Sequence, residues 1–335
     1  MNRLLASALF LGIIYATCGV VAVITVMPVN GQPSERLTPD VSAVMAAGPL
    51  NEVSGMAKSR SYPNTYWVVN DSGNDARLFA INREGQMIIP TFSRFSYYGE
   101  TPEDGKQQWE GFRVLYTRNV DWEAMTADDS YLYVADIGNN FNNRRNLVIY
   151  ALSEIDPTAS TQSAAIKIIP VRYPEQTGFP GLNGKRHFDS EALFSADDHL
   201  YLVTKHRAAQ GRAEAGANLY RLDTEYTDRD NDLVLIDHHP DITQATGAEL
   251  SPDGQRLAVI SYTDLWLFDR PEEGDKWLSS SHRRYLLNTA ILRQVETVIW
   301  DDERTLILSN EQRELFTLDL VDIGEISPVL SNKTE

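Results

Sequence analysis

The fold is decided by three short segments that follow one another in the chain: Glu123-Ala-Met125, Leu132-Tyr-Val-Ala-Asp136 and Asn146-Leu-Val-Ile-Tyr150. The first is a Glu followed by small and apolar residues. The second is an apolar run that ends in a polar residue, and the third is a polar residue followed by apolar ones. The runs are strand-length and rich in β-forming residues, and turn residues at 127–130 separate the first two. The pattern predicts consecutive antiparallel strands.

The same three segments recur in the same order four more times. The Glu recurs as Glu52, Glu191, Glu249 and Glu296. The second segment recurs at 66–70, 200–204, 257–261 and 306–310, and the third at 77–81, 218–222, 264–268 and 314–318. A fourth strand is predicted in most units, at 87–92, 165–171, 233–237 and 284–287. A four-stranded antiparallel unit that is repeated in this way is typical of a β-propeller.

The sequence therefore predicts an all-β protein, a propeller of five blades with four antiparallel strands each, with six blades as the alternative. The last unit has no obvious fourth strand of its own. Either residues 41–47 or residues 325–330 are expected to supply it and so to close the ring. The predicted domain organisation is a propeller over 41–330 and a short tail at 331–335.

An apolar segment without charges, residues 4–27, precedes the propeller and follows Arg3. Its length suits a membrane-spanning helix better than a cleaved signal peptide, although cleavage after Gly31 is the alternative. The position of Arg3 predicts that the main body lies outside the cytoplasm. The protein is thus expected to be anchored in the inner membrane with a periplasmic propeller, or secreted if cleaved. Residues 28–40 are rich in Pro, Gly and Ser and are predicted to form a short tether.

The composition excludes several classes of function. The chain has 30 Lys and Arg against 47 Asp and Glu, a formal charge of −17, which argues against binding nucleic acid or an anionic membrane surface. Its only cysteine, Cys18, lies in the apolar segment. A disulfide scaffold and a cysteine zinc site are therefore excluded for the propeller.

The repeated acidic residues predict a site at one mouth of the channel. In a propeller blade, the start of the first strand and the end of the second lie at the same mouth. This is expected to bring together the five Glu residues and the polar residues that end the second segments. Carboxylate and amide oxygens are the ligands that Ca²⁺ or Mg²⁺ prefers. The predicted metal ligands are Glu52, Glu123, Asp136, Glu191, Glu249 and Glu296, with Asn70, Asp71 and Glu311 nearby.

Two other interpretations of the Glu residues are open. Each Glu could accept hydrogen bonds from the backbone of a neighbouring blade and so staple the blades together. A purely electrostatic funnel for a charged substrate is the third interpretation. A single asymmetric site does not need five identical ligands, which favours stapling.

Basic residues follow the second segments in two units: Arg144 and Arg145 in one, and Lys205, His206 and Arg207 in the other. They are expected to form a cationic arc beside the acidic rim, suited to a small anionic ligand such as a phosphate or carboxylate ester. Charge balance with the carboxylates is the simpler interpretation. His206 is the one histidine placed at this mouth and is the candidate general base.

Several segments resemble known propeller groups: Glu52-Val-Ser-Gly55, Asn70-Asp-Ser-Gly73, Asp121-Trp-Glu-Ala124, Asp136-Ile-Gly-Asn139 and Asp189-Ser-Glu-Ala192. They resemble exported bacterial propellers of the SdiA-regulated and esterase-like-phytase groups over residues 49–320. The resemblance implies a cation at the channel mouth. Calcium-dependent lactonase propellers are a second analogy, although their site mixes one Glu with Asn and Asp.

Two functional hypotheses follow from the sequence. One is a metal-dependent hydrolase of phosphate or carboxylate esters, with the ion held by Glu123, Glu191 and Asp136. The other is a non-catalytic binding or scaffold propeller of the cell envelope with a structural ring of Glu residues.

Overall fold

A computed structural model describes residues 36–45, 48–181 and 184–324 of the chain. The apolar segment 4–27, most of the predicted tether and the tail 331–335 lie outside the described residues. None of the helices within the described ranges is long and apolar enough to cross a membrane.

The described residues contain 22 strands and four short helices. The first eleven strands are β1 Val41–Val44, β2 Val53–Lys58, β3 Tyr66–Asn70, β4 Arg77–Ile81, β5 Tyr97–Tyr98, β6 Gln107–Gln108, β7 Phe112–Leu115, β8 Trp122–Ala127, β9 Leu132–Asp136, β10 Leu147–Leu152 and β11 Gln162–Arg172. The others are β12 Ser190–Ala196, β13 His199–Thr204, β14 Ala215–Leu222, β15 Asn231–Thr243, β16 Ala245–Leu250, β17 Arg256–Ser261, β18 Asp264–Asp269, β19 His282–Leu286, β20 Val295–Trp300, β21 Thr305–Asn310 and β22 Glu314–Asp319. The helices are the 3₁₀ turns Thr91–Phe95, Ala209–Gly211 and Trp277–Ser279 and the α-helix α1 Thr289–Leu292.

Hydrogen-bonded pairing groups most of these strands into four-stranded antiparallel sets. The sets are β2-β3-β4-β7, β8-β9-β10-β11, β12-β13-β14-β15, β16-β17-β18-β19 and β20-β21-β22-β1. The outer strand β11 also pairs in parallel with β7 and with β15, which joins the edges of adjacent sets. The three predicted segments of each unit coincide with the first three strands of one set.

The first strand of each set, which we call the inner strand, contacts the inner strand of the next set. These contacts run from β2 to β8, β12, β16 and β20, and β20 returns to β2. Antiparallel sheets whose first strands meet in cyclic order form a β-propeller. The predicted fold class is confirmed at this level.

The N-terminal strand β1 completes the last set by pairing antiparallel with β22. Ala43 is paired with Leu315 and Val44 with Glu314. The ring is thus closed by residues from both ends of the described chain. Residues 41–47 and residues 325–330 were the two segments expected to supply the fourth strand of the last unit. The strand is formed from the first segment, by Val41–Val44.

The core lies between successive sets, where apolar side chains of facing sheets interleave. The inner and second strands are almost wholly buried, and Trp67, Trp122 and Trp277 are the largest fully buried side chains. Burial on both faces explains why these strands have continuous apolar runs rather than strict alternation. Such a core provides a rigid support for polar residues at the strand ends.

Two segments differ from the sequence-based expectation. Residues 87–92 were expected to form a strand, but they provide one bridge, Ile81 to Met87, before the 3₁₀ turn at Thr91–Phe95. The edge position of that set is taken by β7, which pairs with β4. The second segment is the predicted tether. The Leu37 N–H donates to the carbonyl of Leu286 (2.8 Å), so the described end of the tether lies against a sheet.

Candidate functional site

Each inner strand carries a β-bulge at the same place, two residues into its pairing with the second strand. In the first set, Val53 pairs with Asn70 and Gly55 with Val69, so that the intervening residue is skipped. The other four sets repeat this shift. A bulge turns the skipped side chain away from the ladder, here at the end of the channel. The skipped residues are Ser54, Glu123, Glu191, Thr246 and Glu296.

The two hydroxyl residues among them join neighbouring sets. The Ser54 hydroxyl donates to the carbonyl of Trp122 (2.6 Å), and the Thr246 hydroxyl donates to the carbonyl of Val295 (2.7 Å). Both acceptors lie at the start of the next inner strand. At these two junctions the contact between neighbouring sets, which the sequence suggested for Glu, is made by a Ser and a Thr hydroxyl.

The three Glu residues among the skipped positions face a cavity of about 170 Å³ at the channel mouth. Six carboxylates and two cations line this cavity, so its formal charge is strongly negative. We call it the mouth cavity. Its lining consists of Glu52, Val53, Ser54, Asp71, Glu123, Asn140, Glu191, Lys205, Arg207, Tyr262, Glu296 and Glu311.

One side of the mouth cavity is neutralised by buried ion pairs. The Lys205 ammonium donates to the Glu191 carboxylate and to the Tyr262 hydroxyl, the latter at 2.9 Å. The Arg207 guanidinium donates to Asp189, which also accepts from the backbone N–H of Asn139 at 2.7 Å. Burial opposes the charge on Lys205, but the Glu191 carboxylate raises the pKa of Lys205 above its ordinary value.

On the other side, Asp71 and Glu123 line the mouth cavity, and Asp121 lies beside them; none of the three has an ion-pair partner of this kind among the described residues. Carboxylate oxygens of Asp71, Asp121 and Glu123 all lie within 4.8 Å of one another. Glu123 is buried, and no hydrogen bond from the described residues reaches its carboxylate. Two oxygens bound to one Ca²⁺ are at most about 5 Å apart, so this spacing is compatible with a single ion. We call these three residues the acidic triad.

Gly138 provides the space that the acidic triad occupies. A Cβ atom built on this residue would lie 2.5 Å from Oε1 of Glu123 and still closer to the Asp121 carboxylate. Any larger residue at this position would displace one of the two carboxylates. The N–H of Gly138 donates to the carbonyl of Asp121 (3.2 Å), which fixes the backbone at the required distance.

Burial and mutual repulsion make the triad costly to ionise without a cation. Burial, followed by the charges of Glu191 and Asp71, raises the pKa of Glu123 well above its ordinary value. Burial and the nearby Asp71 carboxylate raise the pKa of Asp121 to about 6. A bound divalent cation would reverse both effects because it stabilises the ionised form.

A second pair of acids lies elsewhere in the mouth cavity. Burial, the Glu191 charge and a hydrogen bond with Glu311 raise the pKa of Glu296 to about 9. Glu296 therefore carries a proton at neutral pH, and this proton is used in the hydrogen bond with Glu311. The negative charge on this side of the cavity is reduced accordingly.

The predicted position of Glu249 is wrong. Glu249 pairs with Ala258 near the turn of the β16–β17 hairpin, whereas the bulge at the mouth end of β16 holds Thr246. It lines a different cavity, at the opposite end of the inner strands. Glu52 does line the mouth cavity, but it precedes the bulge of its strand and is exposed. Hence two of the five Glu residues are not equivalent to the other three.

Asp136 and Asn70 are at the predicted strand ends but have other partners. The Asp136 carboxylate accepts from Arg144 (2.6 Å) and from the backbone N–H groups of Val120 and Asp121. The amide of Asn70 donates to the carbonyl of Pro49 (2.6 Å). Neither residue lines the mouth cavity. Both fix the loops that present the acidic triad.

The predicted cationic arc is divided between two places. Lys205 and Arg207 line the mouth cavity, but Arg144 and Arg145 line a separate cavity of about 260 Å³ beside Tyr173. Arg144 is held by Asp136, and the Arg145 guanidinium lies 3.7 Å from the centre of the Phe179 ring. Of the five residues of the predicted arc, only Lys205 and Arg207 therefore line the mouth cavity.

The predicted position of His206 is also wrong. Lys205 and Arg207 point into the mouth cavity, and His206 between them points away from it. Its ring stacks on that of His187, with centroids 4.0 Å apart. Burial and the neighbouring His187 lower the pKa of His206 to about 3. It is not placed to serve as a base for a reaction in the mouth cavity.

Several residues of the site were not among those predicted, notably Asp121, Asp189, Tyr262 and the two hydroxyl staples. A signal for the first two was present in the sequence. Two inner strands begin with the same spacing, Asp121-Trp-Glu123 and Asp189-Ser-Glu191. Because the middle residue pairs with the second strand, both acids of each motif lie at the mouth.

Comparisons with known proteins give no family assignment. No family model matches the chain, and no curated protein matches it. The resemblance to the SdiA-regulated and esterase-like-phytase groups thus stays a prediction.

Solved structures with a similar arrangement are distant in sequence. The PQQ-bound aldose sugar dehydrogenase of Streptomyces coelicolor is 12% identical over 86% of this chain and 99% of its own, with a TM-score of 0.45. A luciferin-regenerating enzyme is 13% identical over 83% and 79% of the two chains, with a TM-score of 0.40. Similarity at this level carries no argument about ligand or activity.

Proposed function

We propose that this protein binds a divalent cation of the Ca²⁺ type at the mouth cavity through Asp71, Asp121 and Glu123. The observation that carries the proposal is the convergence of three carboxylates, at least one of them buried, that lack the cationic partners given to Asp189 and Glu191. Uncompensated buried carboxylates are costly, and an ion removes that cost.

The chemistry of the ligands favours a hard cation. All three residues offer oxygen, and the nearby Asn140 and Glu52 side chains offer more of the same type. Calcium accepts six to eight oxygen ligands with flexible geometry, whereas zinc prefers nitrogen and sulfur. The remaining positions around the ion would be filled by water or by a ligand.

A small anionic ligand bound at the ion is the second part of the proposal. Lys205, Arg207 and Tyr262 face the same cavity. Their arrangement suits a phosphate or carboxylate ester whose oxygen is held at the ion. A bound divalent ion would supply Lewis-acid polarisation of such an ester. Hydrolysis is therefore the reaction to test first.

A non-catalytic envelope propeller is the second candidate. The Glu191–Lys205 and Asp189–Arg207 pairs are largely buried and hold loops of adjacent strands together, which favours a structural role for that half of the mouth. Under this alternative the protein would bind the ion and a partner without turnover. A screen of ester and phosphoester substrates with and without Ca²⁺ separates the two candidates.

The experiment that tests cation binding is a calorimetric titration of EDTA-treated protein with Ca²⁺, Mg²⁺ and Mn²⁺. Wild type is expected to bind Ca²⁺, and Glu123→Gln is expected to lose binding because the buried ligand charge is removed. Glu225→Gln is the matched control, since Glu225 pairs with Lys167 away from the mouth cavity. Equal affinities of wild type and Glu123→Gln would overturn the proposal.

We further propose that the propeller has five blades and is held outside the cytoplasm by residues 4–27. The cyclic order of five inner strands supports the blade number. The uncharged apolar segment after Arg3 supports the anchor. Cell fractionation of the full chain, compared with a chain that begins at Gln32, tests it: the full chain should sediment with membranes and the shorter one should not.

A further inference from the structure

Glu249 has no part in the mouth cavity, and its surroundings point to a second site at the opposite end of the channel. A cavity of about 250 Å³ lies there, lined by residues of four inner hairpins. We call it the rear cavity. Its lining consists of Lys58, Ser59, Arg60, Ala127, Glu249, Leu250, Pro252, Ile299 and Trp300.

Glu249 is buried, with 9% of the residue exposed, and it forms part of the cavity wall. One oxygen, Oε2, accepts from the Thr126 hydroxyl at 3.1 Å. The other has no hydrogen-bond donor among the described residues. Burial raises the pKa of Glu249 to about 8, despite the nearby Arg60 and Thr126, so the group carries a proton at neutral pH. A buried neutral carboxyl beside a cavity offers an O–H donor to whatever occupies it.

Arg60 provides a positive charge in the rear cavity that an anionic ligand could pair with. Its guanidinium donates one hydrogen bond, to the carbonyl of Ala127 at 3.1 Å, and makes no ion pair with a described residue. Lys58, the other cation that lines the rear cavity, is already paired with Asp301. Arg60 is an exposed residue, and its guanidinium keeps free donors beside Glu249, the one acid among the lining residues.

The rest of the rear cavity is apolar. Leu250, Pro252, Ile299 and the indole of Trp300 form its wall, and the Trp300 N–H is already bonded to the carbonyl of Glu249 (3.0 Å). The cavity is smaller than the roughly 300–1,000 Å³ typical of drug-sized ligands. A fitting molecule is thus small, with one anionic end and one apolar end.

We propose that the rear cavity binds a small aliphatic carboxylate, held between the guanidinium of Arg60 and the carboxyl group of Glu249. The ligand carboxylate accepts from both groups, and its alkyl chain lies against Ile299 and Trp300. A carboxylate fits better than an alcohol or amide because Arg60 gains a charge-assisted, bidentate partner. This site is independent of the mouth cavity and of any ion bound there.

Hexanoate is the probe, with hexanamide as its neutral counterpart, in calorimetric titrations of EDTA-treated protein at pH 7. Hexanoate is expected to bind at least tenfold more tightly than hexanamide. Arg60→Ala is expected to lose about tenfold in affinity for hexanoate. Lys167→Ala, which removes a cation of an outer strand, is the matched control and should bind like wild type.

The pH dependence tests the role of Glu249. Wild-type affinity for hexanoate should fall as the pH rises through about 8, since the donor is lost and a repelling charge appears. Glu249→Gln keeps a neutral donor and should bind hexanoate equally well from pH 7 to 9.5, while Glu249→Leu should bind weakly throughout. Equal binding of hexanamide and hexanoate, or the same pH profile for wild type and Glu249→Gln, would overturn the proposal.

Discussion

At the residue scale, the partner of each buried carboxylate decides what it does. Buried Glu191 is paired with Lys205, half-buried Glu296 with Glu311, and buried Glu249 with the Thr126 hydroxyl. Glu123 has none of these and is surrounded by acids. Four Glu residues with one sequence pattern thus have four different environments. The sequence shows the residue type but not the partner, because each partner is brought close by the fold: Lys205 and Glu311 follow the second strand of the same set, and Thr126 lies on the inner strand of another set.

Glu123 is expected to lower the stability of the ion-free protein. Its pKa is raised in the folded state, so stability is greatest below the unfolded pKa and falls as the pH rises. Glu123→Gln should therefore raise the Tm of EDTA-treated protein at pH 8 by a few degrees, and by less near pH 5. Thermal unfolding at the two pH values checks this. A lower Tm for the variant at pH 8 would contradict it.

The affinity for Ca²⁺ is expected to fall in acid. Protons compete with the ion for the carboxylates of Asp121, with a pKa of about 6, and of Glu123. Below pH 6, affinity should drop by about tenfold per pH unit for each proton displaced. Titrations between pH 5 and 8 measure this slope. An affinity that does not change across the range would exclude these carboxylates as ligands.

At the element scale, the bulge of the inner strand is the unit that builds the site. The strands themselves were predictable, because their apolar runs are long and bounded by turn residues. The polar ends of the second strands, from Asn70 to Asn310, were also equivalent as expected, since each pairs with the residue before a bulge. The bulge residues were not all predictable. The hairpin turns differ in length between sets. The spacing along the sequence therefore made Glu249 look equivalent to the bulge residues of the other sets, whereas Thr246 occupies that position.

The hydroxyl staples are expected to contribute to stability. Ser54 and Thr246 each donate to a carbonyl of the next inner strand. Removing a donor to a buried carbonyl costs about 1–3 kcal/mol. Ser54→Ala and Thr246→Val should each lower the free energy of unfolding in urea by about that amount. Unchanged midpoints would show that the carbonyls find other donors.

At the scale of the whole molecule, closure of the ring joins the two ends of the described chain. The strand β1 pairs with β22 across a large separation in sequence, so the last set depends on a segment near the N-terminus. The sequence offered two segments for this role because neither has a strong strand pattern. Three of the four residues of β1 are exposed. Backbone pairing with β22, rather than burial of side chains, therefore holds this strand in the last set.

Breaking this closure is expected to destabilise the entire propeller. Ala43→Pro removes a backbone donor and disturbs pairing with Leu315, which should cost about 1–3 kcal/mol. Val44→Ala, at an exposed position of the same strand, is the matched control and should have little effect. Urea unfolding measures both. A loss of equal size in the two variants would mean that side-chain packing, not pairing, secures β1.

The positions of the acidic residues matter more for function than the net charge of −17. Most acids lie on the surface, but Glu123 is buried at one mouth, and the half-buried Asp71 and Asp121 lie beside it without an ion pair among the described residues. The proposed function depends on these three carboxylates. Lys205 and Arg207 neutralise other acids at the same mouth. We propose that an ion neutralises the acidic triad.

The most direct measurement is the Tm of EDTA-treated wild type and of Glu123→Gln, each with and without excess Ca²⁺. An ion that binds only the folded state stabilises it, by about 2.7 kcal/mol at one hundred times its Kd. Ca²⁺ should raise the Tm of wild type and of the Glu225→Gln control, and leave that of Glu123→Gln unchanged. No rise in wild type, or an equal rise in Glu123→Gln, would contradict the account.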